Sequence, residues 1–349
     1  MQARAMIAEM TAETTQTEAT RDTHMRMQAV VAPRYGSPDV LTLTEVPRPQ
    51  PAPDEVLIEV VAVSVHAGTW HLLRADPFLV RLMFGLTKPK HPILGGDVAG
   101  RVVEVGRDVT TLRVGDEVIG DLSMHRLGAF AQMVAAPAEL FVKKPEGIAL
   151  EDAATVPVSA VTALQALRDH AKVRAGQKVL ITGASGGVGT FAVQIVKAMG
   201  AEVTAVGSTR SLDMLRELGA DHVVDYGAED ITQSESKFDA VIDIAAYRSI
   251  FDYRAILKPG GIYLQVGGAT KRFWQVVFLG PFASMLGDQK LTNMMAKPNA
   301  EDLGVVAAMI AKGEVKPAIG RRFEGLAAIP DAIRHVEEGH AKGKTLVRI

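Results

Sequence analysis

Cysteine is absent from all 349 residues. Its absence excludes disulfides, thiolate nucleophiles and any metal site built on sulfur, and it suits a reducing compartment. An excess of charge is missing too. Lys and Arg number 38 against 40 Asp and Glu, a formal net charge of −2, so nothing points to nucleic acid or an anionic membrane as partner. Long apolar runs are lacking. The strongest, VVFLGPFASML at 276–286, is too short to span a bilayer and is broken at Gly280-Pro281. The polar N-terminus has no apolar core of signal-peptide length. Its acids Glu9, Glu13, Glu18 and Asp22 argue against a transit peptide. The expectation is a disordered tail over 1–26, with Met25 or Met27 as alternative starts, on a cytoplasmic protein.

What remains is an ordinary globular balance, 48% hydrophobic and 22% charged, at a length that suits two domains. From Gln28 to about Phe141 the pattern is strand and turn. MQAVVAPRYG, VLTLTEVPRP, EVLIEVVAVSV, VAGRVVEVG and DEVIGDL alternate, or run in short β-branched stretches split by Gly, Pro and Asp. This reads as a small barrel. One irregular insertion, HAGTWHLLRADPFLVRLMFGLTKPKHP at 66–92, mixes aromatics, basic residues and three histidines. Such loops on a rigid β scaffold often carry binding function.

From about Val158 the period changes. KVLIT, EVTAVG, HVVDY, FDAVIDIAA and GIYLQVGG alternate with amphipathic helical stretches such as TFAVQIVKAMG and SLDMLRELGA. The alternation implies a parallel, doubly wound α/β sheet. After Pro298 come a helix, AEDLGVVAAMIAKG, and a last strand, TLVRI.

Between KVLIT and the first of those helices stands ASGGVG, residues 184–189. It is the dinucleotide fingerprint G-x-G-x-x-G with Ala184 in the first place. Gly186 lets backbone N–H groups approach a pyrophosphate, and Gly189 lets the helix pack on the sheet. The competing reading is a structural strand-to-helix turn, but strand before and helix after are what the fingerprint requires. Some 20 residues on, where an NAD site carries Asp or Glu, this chain has GSTR, 207–210. Ser208 and Arg210 suit a 2′-phosphate, since guanidinium forms charge-assisted bonds to phosphate. The expected cofactor is NADPH. The plainer alternative is that Ser208 caps the following helix.

PILGGDVAGRVVEVG (92–106), VGDEVIGD (114–121), AATVPVSAVTALQAL (153–167), GQKVLITGASGGVGTFAVQIVKAMGA (176–201) and LGADHVVDY (218–226) together resemble the medium-chain dehydrogenase/reductase superfamily. The resemblance covers nearly the whole chain from Met27. It implies a GroES-like β-barrel domain over 27–158 and 299–349, a Rossmann NADP-binding domain over 159–298, and an active site in the cleft between. It also implies a homodimer built through the Rossmann edge. At positions that match zinc ligands in metal-dependent relatives stand His66, Gly96 and Val158. One candidate ligand is too few for a catalytic zinc, and the four-cysteine lobe is missing. The chain therefore resembles the zinc-independent quinone oxidoreductase and enone reductase branch.

By position in that resemblance, Ser185, Gly186, Gly187 and Val188 form the phosphate loop. Ser208 and Arg210 form the 2′-phosphate pocket, with Tyr226 beside it. Thr162, Ala246, Val266, Gly267 and Gly268 border the nicotinamide half, and Lys344 is a late phosphate contact. With no metal, charge on the conjugated oxygen falls to hydrogen-bond donors. The candidates are His66, where many relatives have Asn, and His71, with Trp70 as a pocket wall. Each histidine is also readable as structural, and His91 is read so. Phe273, Trp274, Phe278 and Phe282 in KRFWQVVFLGPF either line the substrate cleft, cover a dimer contact or belong to a core helix. The implied activity is hydride transfer from NADPH to a small-molecule quinone or α,β-unsaturated carbonyl. An alcohol/carbonyl dehydrogenase, an enoyl reductase and a non-catalytic NADPH-binding sensor or structural protein stay open as alternatives.

Overall fold

The computed structural model describes residues 25–268, 270–339 and 341–349. Residues 1–24 of the expected tail lie outside the described residues. The first strand, Arg26–Val31, pairs antiparallel with Thr42–Pro47, so ordered structure starts inside the expected tail.

A seven-stranded sheet runs in the order Ile319–Glu324, Lys344–Arg348, Glu55–Val65, Asp97–Val105, Glu117–Asp121, Phe141–Lys143, and Met133–Pro137 also pairs with Glu55–Val65. The long strand EVLIEVVAVSV is buried at nine of its 11 positions, because it meets two cores: Ala62 packs in one, and Val56, Ile58, Val60, Val63 and Val65 in the other. Its bulges let a partner come very close: a Cβ at Gly100 would lie 2.1 Å from the Glu59 carbonyl oxygen. The last described strand, Lys344–Arg348, pairs with this long strand, Thr345 opposite Val65, so the C-terminal segment completes the sheet of the N-terminal domain.

The insertion at 66–92, expected as irregular, forms two short helices, Ala67–Arg74 and Val80–Phe84. Leu72 and Leu73 bury against the barrel, a spacing that the mixed composition of the segment hides.

The second sheet is all parallel, in the order His222–Asp225, Glu202–Gly207, Lys178–Thr182, Phe238–Asp243, Leu257–Gln265, Lys290–Asn293. Successive strands first step outward from Lys178–Thr182 to one side. The chain then returns to place Phe238–Asp243 on the other side. The order therefore reverses between Thr182 and Asp243, which face each other in the register. In open α/β sheets ligands bind in the crevice beyond the strand ends at such a switch point. The helix Gly187–Ala198 is buried continuously from Gly189 to Val196, because it lies between the sheet and the helix Pro157–Gln165. The architecture is a GroES-like β domain joined to a Rossmann domain. Among the described residues no helix is long and apolar enough to cross a membrane.

Candidate functional site

At the switch point the glycine loop opens the helix Gly187–Ala198. Gly186 is its N-cap, with extended backbone and no side-chain cap. The first-turn N–H groups, which an α-helix leaves without internal partners, therefore point out of the helix end beside the positive end of its dipole. The glycines there differ in what surrounds them. A Cβ at Gly189 would stand 2.3 Å from the Gly183 carbonyl oxygen and 2.6 Å from Ala184 Cα, so this position is closed by backbone. A Cβ at Gly186 would meet only the Gly183 oxygen, at 3.5 Å. One glycine brings helix and strand together; the other leaves room above the loop. This cradle fits a pyrophosphate.

The rim beyond strand Glu202–Gly207 brings together Ser208, Arg210 and Tyr226. Tyr226 donates its backbone N–H to Gly207 O at 3.1 Å, and its side chain is 60% exposed. Ser208 precedes a short 3-10 turn but makes no side-chain cap to it, and its hydroxyl lies 3.4 Å from that of Ser211. Two neighbours here were not singled out in the sequence. The Lys342 ammonium donates to the Arg210 carbonyl, adding a second cation to this rim. The Asp225 carboxylate accepts from the Thr209 hydroxyl and from Gly227 N–H, and these bonds hold its pKa low. Asp225 directly precedes Tyr226 in HVVDY, so its place in the sequence was a signal for it, whereas Lys342 reaches the rim only through the return of the C-terminal segment to the glycine loop.

On the other side of the switch point, Ala246 is buried and takes a left-handed backbone, φ 50°. Val266, Gly267 and Gly268 follow the end of strand Leu257–Gln265. Gly268 has φ 94°, and a Cβ there would strike Ala245 O at 2.3 Å, so its conformation and its crowding both demand glycine. Thr162 is nearly buried, and its hydroxyl donates back to Val158 O at 2.6 Å.

Lys344 lies elsewhere than a phosphate contact requires. It is 1% exposed, and its ammonium is 3.1 Å from Asp97 and 2.9 Å from the Ser159 hydroxyl. The expected contact is replaced by a buried ion pair, because a cation without water needs a counter-charge. Its stem, not its ammonium, meets the glycine loop: a Cβ at Gly187 would lie 3.0 Å from Lys344 Cδ. Beside it Gly343 N donates to Ser185 O at 2.7 Å, so the last strand of the barrel is stitched to the loop.

Asp97 also accepts from the Ser64 hydroxyl and, at 2.8 Å, from Val158 N–H. Burial opposes its charge, but Lys344, His66 and these bonds prevail and keep its pKa low. His66 stands at the head of helix Ala67–Arg74 as its N-cap, with extended backbone just after the strand Glu55–Val65 that carries Ser64. Burial, with help from Lys344 and against Asp97, pushes its imidazole down to about 4, so it is neutral at pH 7. Asp121 goes the other way: burial and the Asp97 charge raise it to about 6. The rings of Trp70 and His71 stack with centroids 3.6 Å apart. His71 Nδ1 lies 2.8 Å from Asp76 O, a local bond that fixes the ring to its own turn. Trp70 packs on the barrel core. Among the described residues no group of three or more His, Cys, Asp or Glu could hold a metal ion.

Comparison with known proteins agrees with this geometry. Residues 52–146 match the family described as alcohol dehydrogenase GroES-like domain, and residues 218–347 match that described as zinc-binding dehydrogenase. The chain is 33% identical over 315 residues to the chloroplast envelope quinone oxidoreductase homolog of Arabidopsis thaliana, covering 87% of this chain and 92% of that protein. It is 32% identical to the mitochondrial NAD(P)H oxidoreductase RTN4IP1 of Danio rerio, over 93% of this chain and 91% of that one. The solved quinone oxidoreductase of Coxiella burnetii superposes with a TM-score of 0.82 at 27% identity, over 93% of this chain and 99% of that one. The chain is an oxidoreductase whose fold binds a nicotinamide cofactor, and it belongs to the medium-chain dehydrogenase/reductase superfamily, in its quinone oxidoreductase branch.

Proposed function

We propose that this protein transfers a hydride from NADPH to a quinone or an α,β-unsaturated carbonyl without a metal. The observation that carries the reading is the loop at Gly186 to Gly189, open above and closed by backbone below, set over the switch point of the parallel sheet. NADPH, when bound, supplies the hydride. The chain's own residues do the rest. N–H groups of the uncapped helix would hold the pyrophosphate. Ser208, Arg210 and Lys342 offer a hydroxyl and two cations to a 2′-phosphate, whereas a free ribose diol would gain little from them. Asp225 opposes this preference by its charge, but its oxygens already accept two bonds.

In the cleft, neutral His66 offers an imidazole N–H without an added charge, which suits an electrophile that becomes negative as it accepts hydride. A zinc site at His66 is disfavoured by its surroundings. The nearest carboxylate, Asp97, is already neutralised by the Lys344 ammonium, and that fixed cation repels a divalent ion. Names of relatives, among them a quinone oxidoreductase, an NAD(P)H oxidoreductase and an enoyl reductase, support the substrate class.

We propose further that two copies join through the sheet edge at Lys290–Asn293, which pairs on one side with Leu257–Gln265. Phe278 and Phe282 on the neighbouring helix Thr270–Met285 are 62% and 69% exposed, unlike core residues. Following NADPH absorbance with a quinone, an enone, an aldehyde and a secondary alcohol tests the activity. Turnover on the quinone or enone is expected. Tight NADPH binding with no turnover on any would leave a sensor or structural protein instead.

A further inference from the structure

We infer that Asp243 is the positioning residue of the nicotinamide-side loop: its buried carboxylate holds Ala246 in a left-handed conformation and so shapes the wall against which the cofactor lies. The inference rests on the cofactor site proposed above.

Asp243 ends the strand Phe238–Asp243, next to the switch point, and is fully buried. Three donors from three segments converge on it. Thr182, the last residue of the neighbouring strand, gives its hydroxyl; Tyr263, on the strand to the other side, gives its phenol at 2.7 Å; and Ala246 gives its backbone N–H at 2.8 Å. Burial raises the carboxyl's pKa, and the same three bonds favour the charged form. The donors are neutral, so the arrangement is not a salt bridge built for stability. It is a clamp across the loops that leave three adjacent strands.

The Ala246 bond has the sharpest consequence. A non-glycine residue at φ 50° is uncommon and persists only where its surroundings enforce it. Here the N–H is tied to Asp243. The loop it belongs to is also wedged between two glycines: a Cβ at Gly183 would lie 3.1 Å from Ala245, and one at Gly268 would lie 2.5 Å from Ala246 Cβ. Gly183 begins the phosphate loop, and Gly268 ends the segment after strand Leu257–Gln265. One carboxylate therefore sets the spacing of the phosphate side and the nicotinamide side of the crevice, without needing to touch the cofactor.

The test uses full-length protein and the variants Asp243→Leu, Asp243→Asn and Ala246→Gly. Asp243→Leu removes every acceptor and is expected to raise the KM for NADPH roughly tenfold or more, the scale of one buried N–H left unpaired. Asp243→Asn keeps one oxygen for the Ala246 N–H, and its amide can donate to the phenol oxygen. It is expected to stay within about threefold of wild type. Glycine takes the left-handed conformation without help. Adding Ala246→Gly should therefore recover much of the loss in Asp243→Leu, a rescue that a purely structural role would not give. Faster hydrogen exchange at the Ala246 amide in Asp243→Leu reads the clamp without any cofactor. Wild-type KM in Asp243→Leu, a tenfold loss in Asp243→Asn, or no rescue by Ala246→Gly would each overturn the inference. If Asp243→Leu does not fold, the Asp243→Asn arm and its exchange still decide. Failure of the wild-type protein to bind any dinucleotide is a different result, and overturns the cofactor reading itself.

Discussion

Lys344→Met is the most informative single change outside the cofactor loop. The ammonium is 1% exposed, and its partner Asp97 is fully buried. Removing one partner of such a pair leaves a charge that water cannot reach, at a cost of about 3–5 kcal/mol. For domains of this size that corresponds to a fall in melting temperature of roughly 6–20 °C. The Ser64 hydroxyl and Val158 N–H still bond to Asp97, which places the loss toward the lower end. In the double variant Lys344→Met with Asp97→Asn, no charge remains, and the introduced amide oxygen would still accept from Val158 N–H. The double variant should therefore melt higher than the single one. Acid gives a second check. The folded pKa of Asp97 lies below its unfolded value, so the pair stabilises above about pH 4 and loses this contribution as pH falls through the folded pKa. The gap between wild type and Lys344→Met should close in that range. Thermal scans on the three proteins decide. A fall of less than about 2 °C in the single variant, or a double variant less stable than the single, refutes the reasoning.

Gly186→Ala should keep the melting temperature within about 2 °C, since its Cβ meets only the Gly183 oxygen at an unstrained 3.5 Å, yet raise the KM for NADPH roughly tenfold by occupying the approach to the loop. Gly189→Ala, whose Cβ would strike backbone, should lower the melting temperature clearly even with no cofactor present. Arg210→Ala should raise the KM for NADPH and leave NADH nearly unchanged; steady-state kinetics with both cofactors would expose an equal effect as an error in the assignment. Two groups, the partly buried His66 and the buried Asp121, give opposite pH slopes to stability. His66, lowered to about 4, makes stability fall as pH drops from about 6.5 toward 4; Asp121, raised to about 6, makes it fall as pH rises from about 4 to 6. Denaturation of His66→Asn between about pH 4 and 6 should therefore show stability declining with rising pH more than wild type does, and an unchanged profile would refute it.

The parallel sheet was legible because its strands carry near-continuous apolar runs, the β domain because its short β-branched stretches are split by Gly, Pro and Asp, and the strand-to-helix turn at ASGGVG because three glycines crowd four positions between KVLIT and a helix. The helix Ala67–Arg74 was hidden: AGTWHLLR places only Thr69, Leu72 and Leu73 in the interior, too few to mark a period. Lys344 was expected as a late phosphate contact because GHAKGK follows the order of that family motif; the pairing of the last strand with Glu55–Val65 instead carries its ammonium to Asp97, 247 residues away, which no local pattern shows. Asp243 left no mark either. An acid at the end of FDAVID reads as a strand terminus until the neighbouring strands show which hydroxyls converge on it.

The central claim is most directly tested by titrating chelator-treated, metal-free protein with NADPH and with NADH. The account predicts saturable binding of both, with NADPH at least about tenfold tighter, as one charge-assisted contact to the 2′-phosphate would give. Equal affinity for the two, or binding that returns only when zinc is added back, would contradict it.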